Sequence, residues 1–462
     1  MRKLVLALTL CVSILLSSAV TPAFASPALG ITNNDITLNF PETAIFHATL
    51  TSNADITSVV LEYGNEQQTC GEVVAKAFPQ ITPGKTVEAE WTWEMRQSGS
   101  LPPGAQLWWR WRVTDSSGNE TLTDTKTATW LDNVHDWQTL NKGDYLRLHW
   151  YKGDQAFATE LAQAAADGLT FNETQSGLKA DTPIDLYIYA STDDLKEAIL
   201  YEPSWTGGQA FSDQNIVILG ISKSDLEWGK DAIVHELTHV LVGHLTFSCL
   251  GDVPTWLNEG LAVYSEGGLD PNSEQQLNDA IRDDTLLTVR SLSGGFSEVA
   301  DKAYLSYSES YSLVKFLIET YSQEKMTSLL VALRDGQTID EALMQTYGFN
   351  VDGLEDAWRK AIGAPARSVS PEGEPTAQPT PTFVPTIVPV GGVPFAAQVT
   401  STPVPTSSFG GQPTQAPSRT APPLSLTLLL LTVCCFMILI FGVLILGFVL
   451  RNQNSKGGKN VQ

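Results

Sequence analysis

Positive charge and cysteine are both scarce in this chain. Its 462 residues carry 28 Lys and Arg against 51 Asp and Glu, a formal net charge of −23. That balance opposes phosphate backbones and anionic lipid headgroups, which excludes nucleic-acid binding, and long-range steering favours neutral or basic substrates. Of the five cysteines, Cys11 lies in the apolar run at the start and Cys434 and Cys435 in the one at the end, which leaves Cys70 and Cys249. Neither has the spacing of a metal knuckle, and Cys249 has no evident activating partner, so cysteine-ligated zinc and a cysteine nucleophile are excluded. In an oxidising space the two thiols have pairing open to them; since they fall in different predicted domains, buried free thiols are the plainer reading. No G-x-S-x-G elbow and no phosphate-binding glycine loop occurs, which excludes two further reaction classes.

The two ends read as targeting segments. Met1-Arg2-Lys3, the apolar run Leu4 to Val20 and the small-x-small pattern Ala23-Phe24-Ala25 predict a signal peptide over 1–25. Leu424 to Leu450 holds no charge, and its 27 residues exceed the roughly 20 that a helix needs to cross a bilayer. Arg451, Lys456 and Lys459 follow without a nearby acid, so the tail 451–462 is expected in the cytoplasm and everything before the span outside. The expected topology is single-pass type I in the cell membrane. Between the folded part and the span, 366–423 is rich in Pro, Thr, Ser and Gly and cannot build a core; a disordered stalk is expected.

Two domains are expected between these segments. Over 29–135, alternating runs (Ile36 to Phe40, Ile45 to Leu50, Ser58 to Tyr63, Val87 to Trp93, Leu107 to Val113, Thr121 to Trp130) are punctuated by turn residues such as Pro102-Pro103-Gly104. The spacing suits an all-β antiparallel sandwich of about seven strands, immunoglobulin-like or fibronectin-like. Trp91, Trp93, Trp108, Trp109 and Trp111 would suit a sugar-stacking platform, but alternation puts Trp109 and Trp111 on one face and Trp108 on the other, which favours core packing. Over 136–365, strands are expected at Tyr145 to Tyr151, Pro183 to Tyr189 and Asn215 to Gly220. Helices are expected at Gln155 to Leu169, Thr192 to Leu200, around His235, and in a C-terminal helical part from Ala303 to Ile362.

The chemistry is carried by Val234-His235-Glu236-Leu237-Thr238-His239-Val240 and by Pro254-Thr255-Trp256-Leu257-Asn258-Glu259-Gly260-Leu261-Ala262. Residues four apart share a helix face, so His235 and His239 point the same way and can hold one metal ion. Glu236 sits beside that face, placed to touch a water rather than the metal, as the general base of a zinc hydrolase does. Catalytic zinc usually takes three protein ligands, and nineteen residues separate His239 from Glu259, itself in a helix-like run. Glu266 shares a face with Glu259 and is either a hydrogen-bond partner of a metal ligand or a solvated carboxylate. His244 comes five positions after His239, which misses the spacing of a third histidine ligand in metzincins. It is read as a helix-end residue, with His47, His135 and His149 as ordinary surface or core residues.

The H-E-x-x-H, its distance to the glutamate and the words Trp-Leu-Asn-Glu-Gly-Leu-Ala resemble the gluzincin metallopeptidases, especially bacterial peptidase MA-like domains and the aminopeptidase N and leukotriene hydrolase group. The resemblance implies an α+β zincin domain with Zn2+ held by His235, His239 and Glu259 and with Glu236 as catalytic base. It also sets Leu305 to Val314 on the helix that carries the group's transition-state tyrosine; Tyr307 falls on it, with Tyr304 and Tyr311 as the alternatives one turn away. Gly207-Gly208-Gln209-Ala210-Phe211 lies where the aminopeptidases carry a glutamate for the substrate amine. That glutamate is absent, which leans toward endopeptidase action and leaves exo against endo open. In zincins a strand shortly before the histidine helix borders the cleft, and Asn215 to Gly220 holds that position in this chain. The expected function is a membrane-anchored, extracellular zinc metallopeptidase acting on a peptide or protein. The alternative is a catalytically idle surface-binding or adhesion protein with a zincin-like domain.

Overall fold

The structure, a computed structural model, describes residues 29–98, 101–200, 207–297 and 299–367. The expected signal peptide, membrane span and cytoplasmic tail, and the expected stalk beyond Arg367, lie outside the described residues. Among the described residues no helix is long and apolar enough to cross a membrane.

The N-terminal part is antiparallel β. Its strands are β1 (Gly30–Asn39), β2 (Thr43–Asn65), β3 (Ala75–Ala77), β4 (Gly84–Glu94), β5 (Gln106–Asp115), β6 (Glu120–Leu122) and β7 (Lys126–Thr129). The runs Ile45 to Leu50 and Ser58 to Tyr63, expected as separate strands, are one 23-residue strand, β2. Its first half pairs with β1 and β4 and its second with β3 and β5, with register shifts between Thr51 and Ile56. In β5 burial alternates strictly, and Leu107, Trp109, Trp111 and Val113 all point inward. Trp109 and Trp111 donate their indole N–H to Asn34 Oδ1 at 2.9 and 3.0 Å, so these rings are core and not a platform.

The second part is a mixed sheet backed by helices. Its strands are β8 (Gln138–Lys142), β9 (Leu146–Trp150), β10 (Ile184–Tyr189), β11 (Gly208–Phe211) and β12 (Ile216–Gly220), in the order β11-β12-β10-β9-β8. The helices are α1 (Gln155–Gln175), α2 (Thr192–Ala198), α3 (Leu226–Thr246), α4 (Thr255–Ser265), α5 (Pro271–Arg282), α6 (Ala300–Tyr321), α7 (Gln323–Arg334), α8 (Ile339–Tyr347) and α9 (Val351–Ala361). Side-chain alternation divides this sheet between two cores. Ile184, Leu186, Ile188, Val217 and Leu219 pack with the helices. Tyr187, Tyr189, Ile216 and Ile218 join the core of the β part, so the five-stranded sheet is apolar on both faces.

A covalent link adds to that shared core. Cys70, after β2, and Cys249, after α3, form a disulfide with Cα atoms 5.5 Å apart across 179 residues of sequence. Both residues are exposed, so the free buried thiols expected from sequence are corrected on both counts. The β-part loop is thereby tied to the segment between α3 and α4, which borders the cleft described next.

Candidate metal centre

Helix α3 follows β12 through a short turn, and its apolar residues Ile233, Leu237, Val240 and Leu241 enter the core. His235 and His239 occupy the opposite side one turn apart, with rings edge to face at 4.8 Å. Helix α4 lies across them, and Gly260 allows the approach of α6 behind it: a Cβ there would come within 2.3 Å of the Ser310 carbonyl oxygen. A buried polar triangle fixes the relation of α1, α3 and α4. Asn172 Nδ2 donates to Thr238 Oγ1 at 2.9 Å, and Ser265 Oγ donates to Asn172 Oδ1 at 2.9 Å. Each partner belongs to a different helix, so the three cannot slide without leaving a buried polar group unpaired.

This packing brings His235, His239 and Glu259 together, their ligand atoms within 4.8 Å of one another. Glu259 Oε2 lies 3.4 Å from Nε2 of each histidine. These contacts are long for hydrogen bonds, and Glu259 Oε2 is buried without such a partner. They suit a different use: donors about 2.0–2.2 Å from an ion in a tetrahedral shell stand roughly 3.4 Å apart. Glu266 holds His235 from behind through Nδ1, which fixes the tautomer and leaves the Nε2 lone pair facing Glu259. Of the two readings open for Glu266, the structure gives the contact with His235.

The charges explain the protonation balance. Burial alone would lower both imidazoles, but Glu259 and Glu266 outweigh it at His235 and Glu259 at His239, and both are raised. Burial likewise works to raise Glu259, yet His239 and His235 hold it far below the carboxylate range. Glu236 is raised, chiefly by burial. The site thus calls for positive charge between its donors, from protons on the histidines or from a cation, and the donor set fits a metal ion that accepts nitrogen and oxygen.

A cleft of about 1290 Å³ opens on these groups; His235, Glu236, His239, Glu259, Glu266, Tyr304 and Tyr307 all line it. Tyr307 stands with its ring centroid 6.3 Å from that of His235, and burial first, then Glu259 and Glu236, keep its phenol protonated. Tyr311 is elsewhere, beside Tyr264 with Lys315 over its ring. His244 turns away from the ligands, its Nε2 3.1 Å from the Ser212 carbonyl oxygen.

The strand bordering the cleft is β11, not β12. Gly207, Gly208, Gln209 and Ala210 line it, whereas all five residues of β12 are buried between β10 and β11. The expectation rested on the strand's place before the histidine helix; its unbroken apolar run is the signature of an interior strand. The missed signal was the two glycines: a Cβ on Gly208 would lie 3.1 Å from Glu236 Cγ, so glycine there keeps the edge open beside Glu236.

Residues 164–364 match the Peptidase MA superfamily. The gluzincin resemblance of the two motifs therefore holds. No curated protein matches the chain. Among solved structures it is similar to OgpA from Akkermansia muciniphila in complex with an O-glycopeptide (11% identity, 24% of this chain and 32% of that one, TM-score 0.19). It is also similar to Legionella pneumophila aminopeptidase A (10%, 71% and 50%, 0.30) and to an aminopeptidase N family protein from Idiomarina loihiensis (10%, 71% and 76%, 0.34). The chain spans about a third of the length of OgpA. Within these matched residues, the residues that the two motifs single out are the ones that meet in the cleft.

Proposed function

We propose that the chain is a zinc metallopeptidase that hydrolyses peptide bonds. The observation that carries the reading is the meeting of His235, His239 and Glu259 beside Glu236 in one open cleft. These three would hold the ion, which when bound supplies a Lewis acid that acidifies water and polarises a carbonyl. Glu236, raised by burial toward the range of a working base, takes a proton from the attacking water and returns it to the leaving amine. Tyr307, kept protonated, donates to the oxyanion. Glu266 keeps the His235 ring in one tautomer and orientation. The outer side of β11, which no described strand pairs with, offers backbone hydrogen bonds to an extended substrate.

We further read the β part as an immunoglobulin- or fibronectin-like sandwich and the whole as a type I membrane protein, secreted by 1–25 and held by 424–450 on the stalk 366–423. Metal analysis, with cleavage of a mixed peptide library with and without chelator, tests the activity. Glu236→Gln is expected to keep fold and metal while the cleavage rate falls about 10²–10⁴-fold. Wild-type cleavage by that variant would end the proposal.

A further inference from the structure

Besides the residues already given roles, the cleft is lined by Asp231, Asp252 and Asp270, and among its described lining residues there is no lysine or arginine. Asp270 is occupied as the cap of α5, accepting from the Asn272 backbone N–H at 2.8 Å. Asp231 caps nothing, and among the described residues no hydrogen bond or ion pair holds its carboxylate. It stands one turn before His235 on the same face of α3, about 6 Å along the axis. The neighbouring cation is taken, since Lys230 binds Glu160 at 2.9 Å and Glu227 at 2.8 Å. Burial, then Glu266 and Glu227, raise the Asp231 carboxyl against the pull of Lys230, so this end of the cleft is a region of negative field.

A second feature lies beside it. Trp228, three residues before Asp231, lines the same cleft with 46% of its surface exposed. Its indole rests against Gly207, where a Cβ would come within 2.8 Å of the ring. From Gly207 the chain enters β11, and Gly208 sits against Glu236. No described strand pairs with the outer side of β11; an extended peptide laid along it beside α3 would meet the indole and the Asp231 carboxylate about two residues from the bond that Glu236 serves. An indole face and a free carboxylate on one helix face are the two groups that recognise an ammonium or guanidinium.

We propose that Asp231 and Trp228 form a subsite for a lysine or arginine side chain of the substrate, which makes the enzyme selective for cationic peptides. The proposal rests on the peptidase reading above, and its test separates the two. Peptides carrying arginine, norleucine or glutamate at each of three positions on either side of the cleaved bond are given to the full chain, its Asp231→Asn and Asp231→Lys variants and, as a charge control in the β part, Asp124→Asn.

The expected result is a kcat/KM ratio of arginine over norleucine that is about ten-fold or more at one position. Asp231→Asn should remove most of that ratio, Asp231→Lys should turn it toward glutamate, and Asp124→Asn should leave it as it was. A ratio near one in the wild type, or one that Asp231→Asn leaves in place, overturns the subsite. If the wild type cleaves no peptide, the peptidase reading has failed, and binding of the same peptides to the full chain decides the subsite. An arginine preference that Asp231→Asn abolishes upholds it, and equal or absent binding overturns it.

Discussion

Buried carboxylates in the two halves of this molecule meet opposite company. In the β part, Glu62 on β2 has a side chain only 2% exposed, and Arg110, Arg112 and Lys76 surround it at 2.8, 2.9 and 3.6 Å. Burial opposes its charge, the guanidinium groups more than compensate, and it stays ionised. In the helical part, Glu236, Glu259 and Glu266 converge on two histidines with no lysine or arginine lining the cleft among the described residues. A buried charge with its own cations is structural and needs nothing from outside. A cluster left short of cations demands one, and here the geometry suits a metal. Glu309 on α6 is a third case. Its Oε1 accepts from the Leu287 N–H at 3.0 Å, Oε2 has no partner, and burial pushes its pKa up to about 8. It answers the same shortage with a proton.

Three substitutions probe this contrast. The largest effect is expected from Glu259→Gln, which keeps shape but removes a ligand charge. Metal affinity, measured by elemental analysis after dialysis, should weaken beyond the roughly 10- to 100-fold typical of losing an outer partner, with any peptide cleavage lost in parallel. Undiminished bound metal would break the comparison.

Next comes Glu62→Gln, which leaves three cations around a neutral amide. It should lower stability in denaturant titrations by about 3–5 kcal/mol while metal content is unchanged. A loss of metal with intact stability would mean that the β part acts on the site and is not merely its support.

The smallest effect belongs to Glu309. Its folded pKa of about 8 lies above the ordinary 4.5, so between these values the folded state binds more protons than the unfolded one and stability falls as pH rises. Glu309→Gln should flatten that decline in denaturation midpoints taken at about pH 5, 7 and 9. An unaltered slope would show that another group carries it.

Much of this was legible along the chain because it is local. The i, i+4 pair on α3 and the alternation in β5 are fixed by backbone geometry a few residues long. Helix α5 is not among the expected helices although Asp270-Pro271 is a regular cap and first helical residue; its sequence is polar, and of its side chains only Leu277 and Ala280 are buried, so few apolar residues mark its inner face. The Cys70–Cys249 link stayed open at the level of sequence because nothing near either residue tells which distant loop it meets.

The sequence by itself determined the composition of the site: which histidines share a face, which glutamate stands beside them, and which distant acid has the right spacing. Tertiary structure alone decided that Glu266 turns to His235 instead of water, that β11 and not β12 lines the cleft, and that among the described residues no ion pair holds Asp231. The division has a physical cause. Periodicity tells a side chain which way to face, but its partner is chosen by the packing of elements far apart in the chain, which no local pattern encodes.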